Sequence, residues 1–153
     1  MKIAIMGAGA IGGYFGGRLA DAGYDVSFIA RGAHLAAIKA NGLKVLSPLG
    51  DFTVNPATVT DNPADIGPVD IVLFMVKNYD TEQAAEQIKP LIGPDTAVIP
   101  FQNGVDARSL LGEVIGYDHV MGGVAFIPAS IPEPGVIQHN AELAKLVFGE
   151  FDK

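Results

Sequence analysis

The chain has 153 residues with a formal net charge of −7, 49% hydrophobic and 18% charged residues, and no cysteine. Its length and composition suit one globular domain with a buried core. The lack of cysteine excludes disulfides, thiolate metal sites and cysteine nucleophiles, and His34, His119 and His139 show no ligand spacing, so no metal is expected. Ten Lys plus Arg residues spread along an acidic chain form no basic stripe, so no nucleic-acid partner is expected. No apolar run reaches the roughly 18 residues of a membrane span, and no basic region with an apolar signal segment opens the chain. A cytoplasmic protein without a membrane partner is the expectation.

Lys2 to Met6 reads as a short apolar strand that runs into Gly7-Ala8-Gly9-Ala10-Ile11-Gly12, a G-x-G-x-x-G turn at the head of a helix. Gly7 permits the tight strand-to-helix turn, Gly9 lets backbone approach a pyrophosphate without a Cβ in the way, and Gly12 allows close helix–strand packing. The helix N-terminus adds unpaired N–H groups and a partial positive charge. Tyr14, Phe15, Leu19 and Ala20 continue at helical spacing until Asp21-Ala22-Gly23 ends the element. Gly7, Ala8, Gly9, Ala10, Ile11 and Gly12 are therefore candidate cofactor-binding residues, set against a purely structural glycine turn.

Asp25 to Ala30 reads as a second strand, His34 to Asn41 as a helix closed by Gly42, and Leu43 to Leu46 as the strand completing a βαβ unit. From Ser47 to Pro68, prolines and glycines break the pattern, leaving short edge strands at 52–54 and 58–60. Asp70 to Val76 is apolar on both faces, as a central strand of a parallel sheet should be. Thr81 to Ile92 reads as a helix, Thr96 to Phe101 as a strand and Ala107 to Ile115 as a helix. This alternation predicts an α/β fold, a doubly wound, mostly parallel Rossmann-type sheet. Beyond His119, short extended pieces predict antiparallel strands added at the sheet's edge. The last of them carries Lys145, which takes a structural role.

NAD sites usually carry an acidic residue at the end of the second strand, about 20 residues past the glycines. This chain has Ala30-Arg31-Gly32 there. A guanidinium forks onto a phosphate and cannot accept from a hydroxyl, so Arg31 points to NADPH; a solvated arginine is the alternative. Lys77 follows the central strand, and Asn103-Gly104 follows the next one after Gln102. Ligands in open α/β sheets sit at the carboxyl ends of strands, so Lys77 and Asn103 are candidates for contacting cofactor and substrate. A solvated lysine and a plain Asn-Gly turn stay open as bland readings.

Four blocks, Lys2 to Gly13, Ala30-Arg31-Gly32, Val76-Lys77 and Gln102-Asn103-Gly104-Val105, resemble the ketopantoate reductases (2-dehydropantoate 2-reductases) in order and spacing. Gly122-Gly123-Val124-Ala125 followed by Gly135 extends the likeness over nearly the whole chain. The resemblance implies NADPH-dependent reduction of 2-ketopantoate, a small 2-keto acid, to D-pantoate in pantothenate and coenzyme A biosynthesis. It implies that the glycine loop holds the pyrophosphate, that Arg31 contacts the 2′-phosphate, and that Lys77 and Asn103 line the crevice for cofactor and substrate. The family's catalytic lysine and its glutamate belong to a helical second domain absent from residues 1–153. This chain is then the dinucleotide-binding domain, with no catalytic residue expected in it and little activity alone.

Other readings stay open. Glycerol-3-phosphate, 6-phosphogluconate and hydroxyisobutyrate dehydrogenases also pair a Rossmann domain with a helical one. A stand-alone dinucleotide sensor is a second alternative, and a flavin site a third, which Arg31 disfavours. An apolar face bared by the missing domain leaves a homodimer open as well.

Overall fold

Strand β1 (Lys2–Met6) buries both of its faces. Ile3 and Ile5 point into one apolar cluster while Ala4 and Met6 point into a second. Only a strand covered on both sides by other layers reads this way. The same split recurs in β6 (Val69–Phe74), where Ile71 and Leu73 join the first cluster and Val72 and Phe74 the second. The computed structural model describes residues 1–77, 80–102 and 106–151.

The central sheet contains β1, β2 (Asp25–Ile29), β5 (Thr58–Thr60), β6 and β7 (Ile92–Pro100), all parallel, in the order β5-β2-β1-β6-β7. Helix α1 (Ala10–Asp21) and Ile38 of α2 (Gly32–Asn41) belong to the first cluster's face. Helices α3 (Thr81–Gln87) and α4 (Ala107–Ile115) cover the other, through Ala84, Ala85 and Leu111. This is the doubly wound arrangement expected, and it sets a crevice where the strand order reverses at β1. No helix among the described residues is long and apolar enough to cross a membrane.

The strand at 43–46 and the helix at 81–92 differ from the expectation. The strand at 43–46, β3 (Leu43–Leu46), does not extend the central sheet; β5 takes that place beside β2. Leu43 and Val45 are fully buried while Lys44 between them is exposed, and the buried face packs on α1, with Val45 Cγ2 3.4 Å from where a Cβ on Gly17 would stand. Strand β3 joins a second sheet in the order β4-β3-β10-β9, with β4 (Phe52–Val54), β9 (Ala129–Glu133) and β10 (Val136–His139). The helix expected over 81–92 ends at Gln87, a 3-10 turn covers Lys89–Leu91, and β7 begins at Ile92. Pro90 is the reason: it lacks the N–H that a continuing helix would need.

Of the C-terminal strands, β8 (Gly122–Phe126) and β11 (Lys145–Gly149) pair antiparallel and β10 pairs antiparallel with β9, but β9 and β10 belong to the second sheet, where β10 also runs parallel to β3, and not to the central sheet's edge. The β8 segment abuts the β7 edge, since Val120 bridges Val98 and Met121 N–H donates to the Val98 carbonyl at 2.9 Å. Lys145 is exposed at the start of β11.

Helix α1 lies between the two sheets, and its two Gly-Gly pairs make that fit. A Cβ on Gly16 would stand 2.6 Å from Ile5 Cγ1 and 2.7 Å from Phe28 Cε1 in the central sheet. On the opposite side, a Cβ on Gly13 would stand 2.7 Å from Ile137 Cδ1, and one on Gly17 3.3 Å from Phe52 Cε2, both in the second sheet. Helix-interior glycine costs about 1 kcal/mol per residue relative to alanine, which close burial between two layers offsets.

Candidate functional site

An open cleft of about 530 Å³ lies at the carboxyl ends of four parallel strands. Met6 to Gly9 enter it from β1, Ile29 to Arg31 from β2, Asp61 from β5 and Met75 to Lys77 from β6. Asp80, Gln83, Ala84 and Gln87 on the α3 side and His34 of α2 line its walls, and Ile131 of β9 reaches it from the second sheet.

The glycine loop has the geometry its spacing predicts. Gly7 has φ +97°, a conformation that L side chains rarely adopt, and a Cβ there would meet the Met75–Val76 peptide at 2.9 Å. A Cβ on Gly12 would overlap the Gly7 carbonyl oxygen. Gly9 differs: no protein atom lies within 4 Å of where its Cβ would be. The fold itself therefore leaves open space over the backbone at position 9, on the cleft side of the loop. The backbone there fits a pyrophosphate brought close to the loop.

Gly9 caps α1 without a side-chain hydrogen bond, and no acidic residue occupies the first turn. The leading N–H groups of Ala10, Ile11 and Gly12 therefore keep their capacity to donate to an anion, and the helix dipole favours negative charge there. The loop itself is braced. Ala8 N–H donates to the Ile29 carbonyl at 2.9 Å, and Met75 N–H donates to the Met6 carbonyl at 2.8 Å, tying β1's end to both neighbouring strands.

Arg31 is the residue before α2, and its side chain is 73% exposed at the cleft mouth. It is not solvated alone: Nη2 donates to Asp80 Oδ2 at 3.2 Å across the cleft. So exposed a pair is worth at most about 1 kcal/mol, and a phosphate dianion can displace it. Lys77 is exposed and lines the cleft, with its carbonyl accepting from Asp80 N–H at 2.9 Å. Ala10, Ile11 and Gly12 stand at the loop's helical end. Asn103 lies outside the described residues. Its neighbour Gln102 donates from Nε2 to the Val76 carbonyl and to Thr81 Oγ1, each at 2.8 Å, so the β7 terminus holds the β6 terminus and α3 in place.

Among the cleft residues that the sequence does not single out, three are titratable: His34, Asp61 and Asp80. His34 joins the glycine loop to the β9–β10 turn, and its partners are 26 and 101 residues away. Asp80 meets Arg31 over a separation of 49 residues. Only Asp61 carried a local signal, because it follows β5 as Arg31 follows β2, and that signal depended on β5 belonging to the central sheet.

The model of the ketopantoate reductase PanE/ApbA family matches residues 3–153. A 2-dehydropantoate 2-reductase from Mesorhizobium japonicum is 36% identical over 160 residues, covering 91% of this chain and 49% of that protein. The crystal structure of a 2-dehydropantoate 2-reductase from Geobacter metallireducens superposes with TM-score 0.93 at 38% identity, over 99% of this chain and 50% of that one. A D-mandelate dehydrogenase solved with NADH and anilino(oxo)acetate superposes with TM-score 0.84 at 26% identity, over 92% of this chain and 46% of that one. The chain spans about half the length of the curated relatives it matches. Loop, cleft and similarity agree: this chain belongs to the ketopantoate reductase family, a family of dinucleotide-binding oxidoreductases, and corresponds to its N-terminal region.

Proposed function

We propose that residues 1–153 are the NADPH-binding domain of a cytoplasmic reductase that transfers a hydride from NADPH to 2-ketopantoate, giving D-pantoate for pantothenate and coenzyme A biosynthesis. The observation that carries this reading is the single cleft joining an uncapped helix N-terminus, a glycine loop with room at Gly9, and the guanidinium of Arg31 at the end of β2. In this reading the N–H groups following Gly9 hold the pyrophosphate, and Arg31 takes the adenosine 2′-phosphate. Lys77 stands beside the nicotinamide half and the keto acid; Asn103 joins it on the strength of the sequence resemblance. The bound dinucleotide supplies the hydride. The proton donor at the developing alkoxide comes from the helical catalytic domain outside this sequence, so the isolated chain turns over poorly. A missing donor of that kind costs about a hundredfold to a thousandfold in rate.

The test is a fluorescence titration of NADPH and NADH on this chain and on Arg31→Ala. The expected result is tighter binding of NADPH, with about a ten- to hundredfold loss on substitution for NADPH alone. Failure of both dinucleotides to bind, or an equal loss for both, overturns the reading.

A second reading, an NADH-using reductase of another 2-keto acid, is favoured by the engagement of Arg31 with Asp80 and by the likeness to the D-mandelate dehydrogenase solved with NADH. A panel of keto acids and both cofactors on the full-length protein separates the two.

A further inference from the structure

The second strand ends in Arg31 where NAD sites usually carry a carboxylate, yet the cleft is not without one at that place. Asp80 approaches from the opposite wall, at the residue preceding α3, and its Oδ2 lies 3.2 Å from Arg31 Nη2. Its side chain is 22% exposed, against 73% for Arg31. The carboxylate is thus the more buried member of the pair. The Asp80 side chain makes no capping hydrogen bond to α3, so the carboxylate is not committed to the helix.

We propose that Asp80 sets the cofactor preference against Arg31 and makes the cleft tolerant of both NADPH and NADH. The inference rests on the reading above, that a dinucleotide occupies this cleft. A 2′-phosphate reaching the Arg31 guanidinium must come within a few ångströms of the Asp80 carboxylate, and the like charges repel. An unphosphorylated ribose meets the reverse situation. An ionised carboxylate only accepts hydrogen bonds, which suits a 2′-hydroxyl donor, and Arg31 can keep its ion pair while that bond forms. Asp80 therefore gives NADH the acceptor that β2 withholds, while subtracting from what Arg31 gives to NADPH.

The test compares dissociation constants of NADPH and NADH on the unsubstituted chain, Asp80→Asn and Asp61→Asn. Asparagine is close in shape to aspartate and favoured at helix starts, and Asp80→Ser provides a second neutral variant on the same grounds. Asp61 also lines the cleft but, among the described residues, forms no ion pair with Arg31, so its substitution measures the general field. The expected result is an affinity ratio that shifts about tenfold toward NADPH in both Asp80 variants and within about twofold in Asp61→Asn. An unchanged ratio in the Asp80 variants, with both dinucleotides still binding, overturns the role of Asp80 and leaves the site reading standing. An equal shift in Asp61→Asn also overturns it. If neither dinucleotide binds the unsubstituted chain, the site reading fails and this inference fails with it.

Discussion

His34 and Ala8 are joined by a hydrogen bond of 2.7 Å between the imidazole Nε2 and the backbone carbonyl of the glycine loop. The other ring nitrogen, Nδ1, accepts from Gly135 N–H at 2.9 Å. An amide can only donate and a carbonyl can only accept, so this pair of partners assigns the proton to Nε2 and requires a neutral ring. One side chain of α2 thereby fastens the loop of the central sheet to the β9–β10 turn of the second sheet.

His34→Ala removes that tie. The expected outcome is a loss of about 1–3 kcal/mol in stability, from two lost hydrogen bonds that leave the Ala8 carbonyl and the Gly135 N–H without this partner, accompanied by weaker dinucleotide binding. Urea denaturation and a fluorescence titration on the same preparation check both parts. Unchanged binding would mean that the loop keeps its shape without the imidazole.

Gly9→Ala and Gly12→Ala are expected to separate ligand demand from folding demand. A Cβ at Gly12 would strike the Gly7 carbonyl and stand 2.9 Å from Ile5 Cγ2, so the loop or the helix must move, at a cost of about 3 kcal/mol or more. A Cβ at Gly9 meets no protein atom and the residue has φ −76°, which alanine adopts, so stability changes by about 1 kcal/mol at most. Gly9→Ala should nevertheless weaken dinucleotide binding at least about tenfold, because the methyl group occupies space the pyrophosphate needs. Equal urea midpoints for the two variants would contradict this division.

Ser47→Ala is expected to damage the fold and spare the cleft. His139 is 1% exposed, Nε2 donates to the Leu143 carbonyl at 2.8 Å, and Nδ1 accepts from the Ser47 hydroxyl at 2.8 Å. Its ring also lies 4.6 Å from that of Tyr14 on α1. Removing the hydroxyl strands a buried nitrogen at a cost of about 1–3 kcal/mol. Neither Ser47 nor His139 lines the cleft, so a thermal melt should drop while the NADPH dissociation constant stays put.

The glycine loop, β1 and the start of α1 were legible from sequence because all their determinants lie within about a dozen residues: a two-faced apolar strand, a turn that only glycine at position 7 permits, and helical spacing after it. The doubly wound sheet was legible for a similar reason, since β6 announces burial on both faces by its own composition. Arg31 was found as a departure from a local rule. Sequence could not tell which strand lies beside β2, because periodicity describes the faces of a strand and not its neighbour. Lys44, exposed between two buried residues, marks β3 as a one-faced strand, which fits a sheet edge beside β2 as well as a second sheet, and only the packing of α1 between two sheets gave that strand its place. The engagement of Arg31 by Asp80, and the bridge that His34 makes from Ala8 to Gly135, were decided by tertiary structure alone. Each joins residues that no local pattern relates, and they meet because the carboxyl ends of parallel strands, the helices that follow them and the second sheet all converge on one cleft.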